Sequence, residues 1–162
     1  MATTINILAA LDTAYILSQP VGKVTAGVYM VDDTASSDNP STNEGSYELS
    51  TNCVSGDIIS WRVEAINMTD EVSISNFTYN DSTTDLFPQG LPNAGNDWTA
   101  TVSDTSGGSM TYQLYVMIND QGPWYWDPYL VAEASDDALT SNASGAVKGK
   151  IKDRLKNRFQ NR

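Results

Sequence analysis

Apolar and polar residues alternate with a period of two along most of the chain, the mark of strands with one buried face. "INILAAL" puts Ile5, Ile7, Ala9 and Leu11 on one side. "KVTAGVYMV" does the same with Val24, Ala26, Val28 and Met30, and "IISWRVEAIN" sets Ile59, Trp61, Val63 and Ala65 against Ser60, Arg62 and Glu64. "DWTATVS" alternates Trp98, Ala100 and Val102 with threonines, and "TYQLYVMIN" aligns Tyr112, Leu114, Val116 and Ile118. Weaker strands are read in "GSYELSTNCV", "EVSISNFTYN" and "WDPYLVA". Clusters of Gly, Asn, Asp, Ser and Pro separate them, among them "DDTASSDNPSTNEG", "PQGLPNAGND" and "NDQGP". Such residues supply turn chemistry and positive φ. About eight short strands punctuated in this way predict an all-β protein, an antiparallel β-sandwich. A short helix is expected around "TAYILSQ".

The pattern stops near residue 133. Residues 1–132 read as the sandwich domain, and 133–145, small and polar ("EASDDALTSNASG"), as a flexible linker. Residues 146–162 change character again. Val147, Ile151, Leu155 and Phe159 recur every fourth position, which on a helix forms one narrow apolar stripe among basic residues. Gly149 costs such a helix about 1 kcal/mol relative to Ala, and a helix this short is marginal alone in water. The expectation is a basic amphipathic tail, helical when docked and frayed when free.

Charge sharpens the division. The net charge is −11, but residues 146–162 carry Lys148, Lys150, Lys152, Arg154, Lys156, Arg158 and Arg162 against Asp153 alone. That is +6, which leaves −17 on residues 1–145, where only Lys23 and Arg62 are basic. An acidic body with a basic extension points to a partner or to a second copy of the chain. The tail also suits an anionic membrane surface. Nucleic acid is disfavoured, because the acidic body repels phosphate. Every copy of the body supplies a matching acidic surface, so docking on another copy is the favoured reading.

Chemical motifs are scarce. With no histidine, His-based triads, His-ligated zinc and the usual proton shuttle at neutral pH are excluded. Cys53 is the only cysteine and cannot form an intramolecular disulfide, which agrees with a reducing compartment. It reads as a structural thiol, since a nucleophilic one needs an activating base. No Walker loop, GxSxG or CxxC occurs, no catalytic residue is assigned, and a non-enzymatic protein is expected. Carboxylates in loops (Asp32–Asp33, Asp81–Asp85, Asp97–Asp104, Asp136–Asp137) could gather around calcium, but no EF-hand spacing or RTX-type repeat supports it. No cofactor and no metal ligand is therefore assigned. The start of the chain lacks a basic n-region and reads as a strand, not a signal peptide, and no segment approaches the about 20 apolar residues of a membrane span.

The aromatic cluster "GPWYWDPYL" is the one other candidate site. Aromatic faces beside an acid can stack on sugar rings, so Trp124, Tyr125, Trp126, Asp127 and Tyr129 are candidate ligand-binding residues for a glycan. Packing at one end of the sandwich is the plainer reading of the same residues.

Several segments in order, "INILAALDTAYIL", "VYMVDD", "GDIISWRVEAIN", "NDWTATV", "YQLYVMI" and "WYWDPYL", resemble the bacterial inclusion body protein family, the PixA/AidA-like proteins, over about residues 4–131. The resemblance implies small cytoplasmic bacterial proteins, some abundant enough to form crystalline inclusions, and it carries no catalytic residues. The basic tail lies beyond it. The expected function is self-association into an intracellular assembly, a homo-oligomer, with Val147, Ile151, Leu155 and Phe159 docking in an apolar groove while Lys148, Lys152, Arg154 and Arg158 pair with acids on the neighbour. Two alternatives stand beside it: a lectin-like module using the aromatic cluster, with or without calcium, and an acidic cargo addressed to a partner by its basic tail.

Overall fold

The computed structural model describes residues 2–80, 86–103 and 107–134, with the backbone alone at Asn80. In chain order these form β1 (Thr4–Leu11), α1 (Thr13–Leu17), β2 (Val28–Asp32), β3 (Ser50–Val54), β4 (Ile58–Ala65), β5 (Val72–Asn80), a 3-10 turn (Ala94–Asn96), β6 (Thr99–Thr101), β7 (Gly108–Ile118), β8 (Gln121–Trp126) and β9 (Tyr129–Glu133). One sheet runs β2-β1-β4-β6. The second runs β3-β9-β7-β5, with β8 also paired to β7.

The expected faces are largely where alternation puts them. Ile5, Ile7, Ala9 and Leu11 are buried, as are Ile59, Trp61 and Val63, and Tyr112, Leu114, Val116 and Ile118. The pairing differs from expectation: both sheets are mixed. β1 lies parallel to β4 and β3 parallel to β9; the other pairs are antiparallel. A parallel pair needs a crossover, and here the chain provides it by moving between the sheets.

Three local differences have local causes. In "KVTAGVYMV" the strand begins only at Val28, and Ala26 is exposed. Gly27 sits at φ +77, its carbonyl accepts from Asp12 N at 2.8 Å, and a Cβ there would meet Tyr15 Cδ1 at 2.8 Å. The backbone therefore has to turn at Gly27 before β2 can start. "DWTATVS" likewise starts late, because Asp97 and Trp98 are both at positive φ. The expected strand "WDPYLVA" is broken at Asp127-Pro128: Trp126 ends β8 and Tyr129 begins β9, so that β8 and then β9 pair with successive halves of β7. Asn119 and Asp120, both at positive φ, make the two-residue turn between β7 and β8 that the right-handed twist of a hairpin favours.

The inner faces share one core. Its centre is aromatic: Trp61 from one sheet lies edge-on to Phe77, Phe87 and Tyr112, with centroids 5.1, 6.0 and 5.7 Å away. Phe77 and Tyr112 stack at 4.9 Å. Trp61 Nε1 donates to Tyr112 Oη at 3.1 Å, which satisfies a donor that burial would otherwise leave unpaired. Burial in this apolar setting drives the Tyr112 hydroxyl far above its ordinary pKa, so it stays neutral and able to accept. A second cross-sheet contact runs from Trp126 Nε1 to Met30 Sδ at 3.0 Å.

Tyr112→Phe keeps the ring stacking but orphans the Trp61 N–H. The expected loss is about 1–3 kcal/mol, read from the urea midpoint with an unchanged m-value.

Candidate functional site

A cavity opens at the end of the sandwich where β1 begins and β3 and β9 finish. It is a cleft of about 460 Å³ walled by Thr3–Ile5, Asp33, Thr34, Ser36–Asn39, Asn52–Val54, Asp57 and Glu133. Its floor is built by Asp57, only 3% exposed. Asp57 Oδ1 accepts from Thr3 N and Thr3 Oγ1 at 2.9 and 3.0 Å, and Oδ2 from Val54 N at 2.9 Å. A buried carboxylate needs such donors, and here they tie the start of β1 to the turn after β3. On the rim, Asp33 accepts from Asn6 N and Asn6 Nδ2 at 2.9 and 2.6 Å. Asn39 Nδ2 donates to Glu133 Oε1 at 2.6 Å, and Asn52 Nδ2 donates to Asn39 Oδ1 at 3.1 Å.

No cation lines this cleft, yet four carboxylates do. Cys53 adds a thiol, but burial pushes its pKa up to about 12, with the Asp57 charge adding to the shift. A neutral, 4%-exposed thiol is not a nucleophile at physiological pH. Among the described residues no group of three or more His, Cys, Asp or Glu is arranged to hold a metal ion. The cleft offers hydroxyls, amides and carboxylates, a surface suited to polar or cationic groups.

The aromatic cluster is divided by the sheet. Trp124 and Trp126 point inward, 2% and 0% exposed, and Trp124 Nε1 donates to Gln19 O at 3.4 Å. Their ring faces are spent on the core. Tyr125 and Tyr129 are half-buried on the outer face, where Tyr125 packs against Tyr115 at 4.9 Å. Asp127 sits at the break between β8 and β9. Its Oδ2 accepts from Lys23 Nζ at 2.7 Å, while its Oδ1 is buried without a hydrogen-bond partner among the described residues. The hydrogen bond to Asp127 is the main cause of a raised Lys23 pKa, against a smaller opposing desolvation. Residues 22–24 run beside β8 here: Val24 N donates to Tyr125 O and Tyr125 N to Gly22 O. Lys23 thus closes the edge of β8, a role for which the sequence carries no signal, since the two charges are 104 positions apart.

At the opposite end from the cleft, Asp70 ties its own loop to the start of α1 and to the turn between β7 and β8. Its Oδ2 accepts from Thr13 Oγ1 at 2.6 Å and Asn67 Nδ2 at 3.0 Å, and its Oδ1 from Asn119 Nδ2 at 2.8 Å. These donors, Thr13 foremost, hold its pKa below the ordinary Asp value.

Val147, Lys148, Ile151, Lys152, Arg154, Leu155, Arg158 and Phe159 lie outside the described residues, as do most of the expected linker and the tail helix. The cleft was not anticipated: its residues come from four distant segments without a shared motif. No helix among the described residues is long and apolar enough to cross a membrane.

These features, a two-sheet β-body with an acid-lined end cleft, define the class by fold alone. Residues 3–123 match a family described as a domain of unknown function (DUF8788), and the chain belongs to that family. Among solved structures, the chain is similar to an inclusion body protein (PixA) from Burkholderia cenocepacia J2315, at 16% identity and a TM-score of 0.62, covering 82% of this chain and 97% of that one. The PixA-like fold expected from the sequence is therefore present. No curated protein matches the chain.

Two measurements check the site chemistry. Cys53 should react with a thiol reagent at pH 8 only at the rate at which the body opens, and a fast stoichiometric reaction in native buffer would contradict its burial. Because the folded pKa of Asp70 is depressed, its contribution to stability is full above the unfolded Asp value and is lost as pH falls through the folded one. The Tm difference between wild type and Thr13→Val should therefore be constant near neutrality and shrink on acidification below about pH 4.

Proposed function

We propose that this protein is a non-enzymatic, self-associating β-sandwich that forms an intracellular assembly, with its basic tail docking on the acidic body of a neighbouring copy. The observation that supports it is the fold shared with a protein described as an inclusion body protein. The charge division gives the contact its chemistry. The described body has two basic residues, and both already face acids: Lys23 with Asp127 at 2.7 Å and Arg62 with Glu64 at 3.5 Å. Its remaining carboxylates are left without a cation from their own body, while the +6 segment 146–162 offers seven.

Exposed ion pairs contribute about 0–1 kcal/mol each. Affinity then comes from the apolar stripe Val147, Ile151, Leu155 and Phe159, whereas the charges set association rate and partner choice. Cys53 and the lack of histidine leave the cleft without an activated nucleophile, which agrees with a binding role for the body.

Deleting residues 146–162 tests this by light scattering coupled to size-exclusion chromatography. The full chain is expected to be oligomeric and to lose mass with added salt, and the truncated chain to be monomeric at both salt concentrations. Identical masses for the two chains would contradict tail-mediated assembly.

A further inference from the structure

The end cleft is an acidic concavity without a side-chain counter-ion from the described body. Around the buried Asp57, whose oxygens are taken by Thr3 and Val54, it carries Asp33, Asp38 and Glu133, all three exposed. Asp33 accepts from the backbone and side-chain amides of Asn6, and Glu133 from the amide of Asn39, all neutral donors. None of the four pairs with a cation, because Lys23 and Arg62 lie against Asp127 and Glu64. A concave wall of one sign focuses its field and draws in the opposite charge. Other places on the body lack this combination. Asp70, at the far end, has its oxygens taken by Thr13, Asn67 and Asn119. The smaller hollow of about 190 Å³ beside Gln19 and Lys23 has no carboxylate in its wall.

We propose that this cleft anchors the root of the chain's own basic tail, taking Lys148 and Lys150 between Asp33, Asp38 and Glu133. The inference goes beyond the assembly reading and does not depend on it: it concerns where the tail starts, and leaves Ile151, Leu155 and Phe159 to a neighbour. Two observations select the occupant. The first is charge. With Lys23 and Arg62 committed, every remaining Lys and Arg of the chain lies in residues 146–162. The second is where the chain leaves the described body. Glu133 is itself part of the cleft wall, and Ala134 follows it. Lys148 is the first cation after that point, 14 residues beyond Ala134. A chain of small polar residues of that length averages about 20 Å end to end, so its end returns to the wall it left. Such a tether holds Lys148 and Lys150 at an effective concentration on the order of mM, above that of a second copy in dilute solution. Proximity therefore favours the chain's own tail over a neighbour's at this cleft.

Amide spectra of nitrogen-15 chain read the cleft at Thr4, Thr34, Asn39, Asn52 and Val54. The samples are the full chain, the full chain with Lys148→Gln and Lys150→Gln, and residues 1–145. The cleft peaks of the full chain are expected to stand apart from those of residues 1–145. The double variant brings them most of the way back, and tenfold dilution of the full chain leaves them in place. Spermidine, used as a small cationic probe, is expected to move the cleft peaks of residues 1–145 at several-fold lower concentration than those of the full chain. Full-chain peaks that slide toward the 1–145 positions on dilution, in step with the mass from light scattering, put a neighbour's tail in the cleft. That overturns the own-tail anchor and leaves tail-mediated assembly standing. Cleft peaks that coincide in the full chain and residues 1–145, or equal spermidine titrations of the two, overturn the anchor outright. The masses of the same samples judge the assembly reading separately: equal masses with displaced, dilution-independent cleft peaks overturn that reading and support the anchor.

Discussion

The two sheets meet at the middle of the core through the hydrogen bond between Trp61 and Tyr112 and the aromatic rings packed around it. Trp61 lies in β4, between β1 and β6, and Tyr112 lies in β7, the strand that β5, β8 and β9 all pair with. Each aromatic contact around this bond adds about 0.5–1.5 kcal/mol beyond its buried area. The bond also pairs the buried indole N–H, which would be costly to leave without an acceptor in this apolar centre. Phe77 and Phe87 then close the side between β5 and β6, and Trp126 with Met30 ties β8 to the edge strand β2.

Much of this was legible in the sequence where period two holds over several residues. Ile5 to Leu11, Ile59 to Val63 and Tyr112 to Ile118 each announced a strand and its buried face. What failed did so for reasons that local pattern does not carry. Alternation is the same for parallel and antiparallel neighbours, so the β1–β4 and β3–β9 pairings were invisible. Val24, Ala26 and Val28 imitate a strand, but Gly27 turns the backbone between them. Trp124 and Trp126 were read as plausible sugar platforms because their spacing shows that they share a face, not which face it is.

The cleft was harder still. Thr3, Asp33, Asn52 and Glu133 meet only because two parallel pairings bring the start of β1 and the finish of β9 to one end of the body. Asp57, which organises that end, is a single acid in "SGDIIS" with nothing in its neighbourhood to mark it. The tail, by contrast, is conspicuous in sequence, because charge and a four-residue apolar spacing do not depend on the fold around them.

The parallel pairing of β3 with β9 has a consequence for how the protein is made. Ser50–Val54 leaves the ribosome early, but its ladder partner Tyr129–Glu133 belongs to the last stretch of the body to be synthesised. Pairings between such distant segments form late and slowly. Until then the nascent chain carries an open, uncharged strand edge ("STNCV") in a compartment where other copies are being made, the circumstance that favours cross-pairing between chains. The acidic residues of the body add like-charge repulsion between chains, which opposes such cross-pairing.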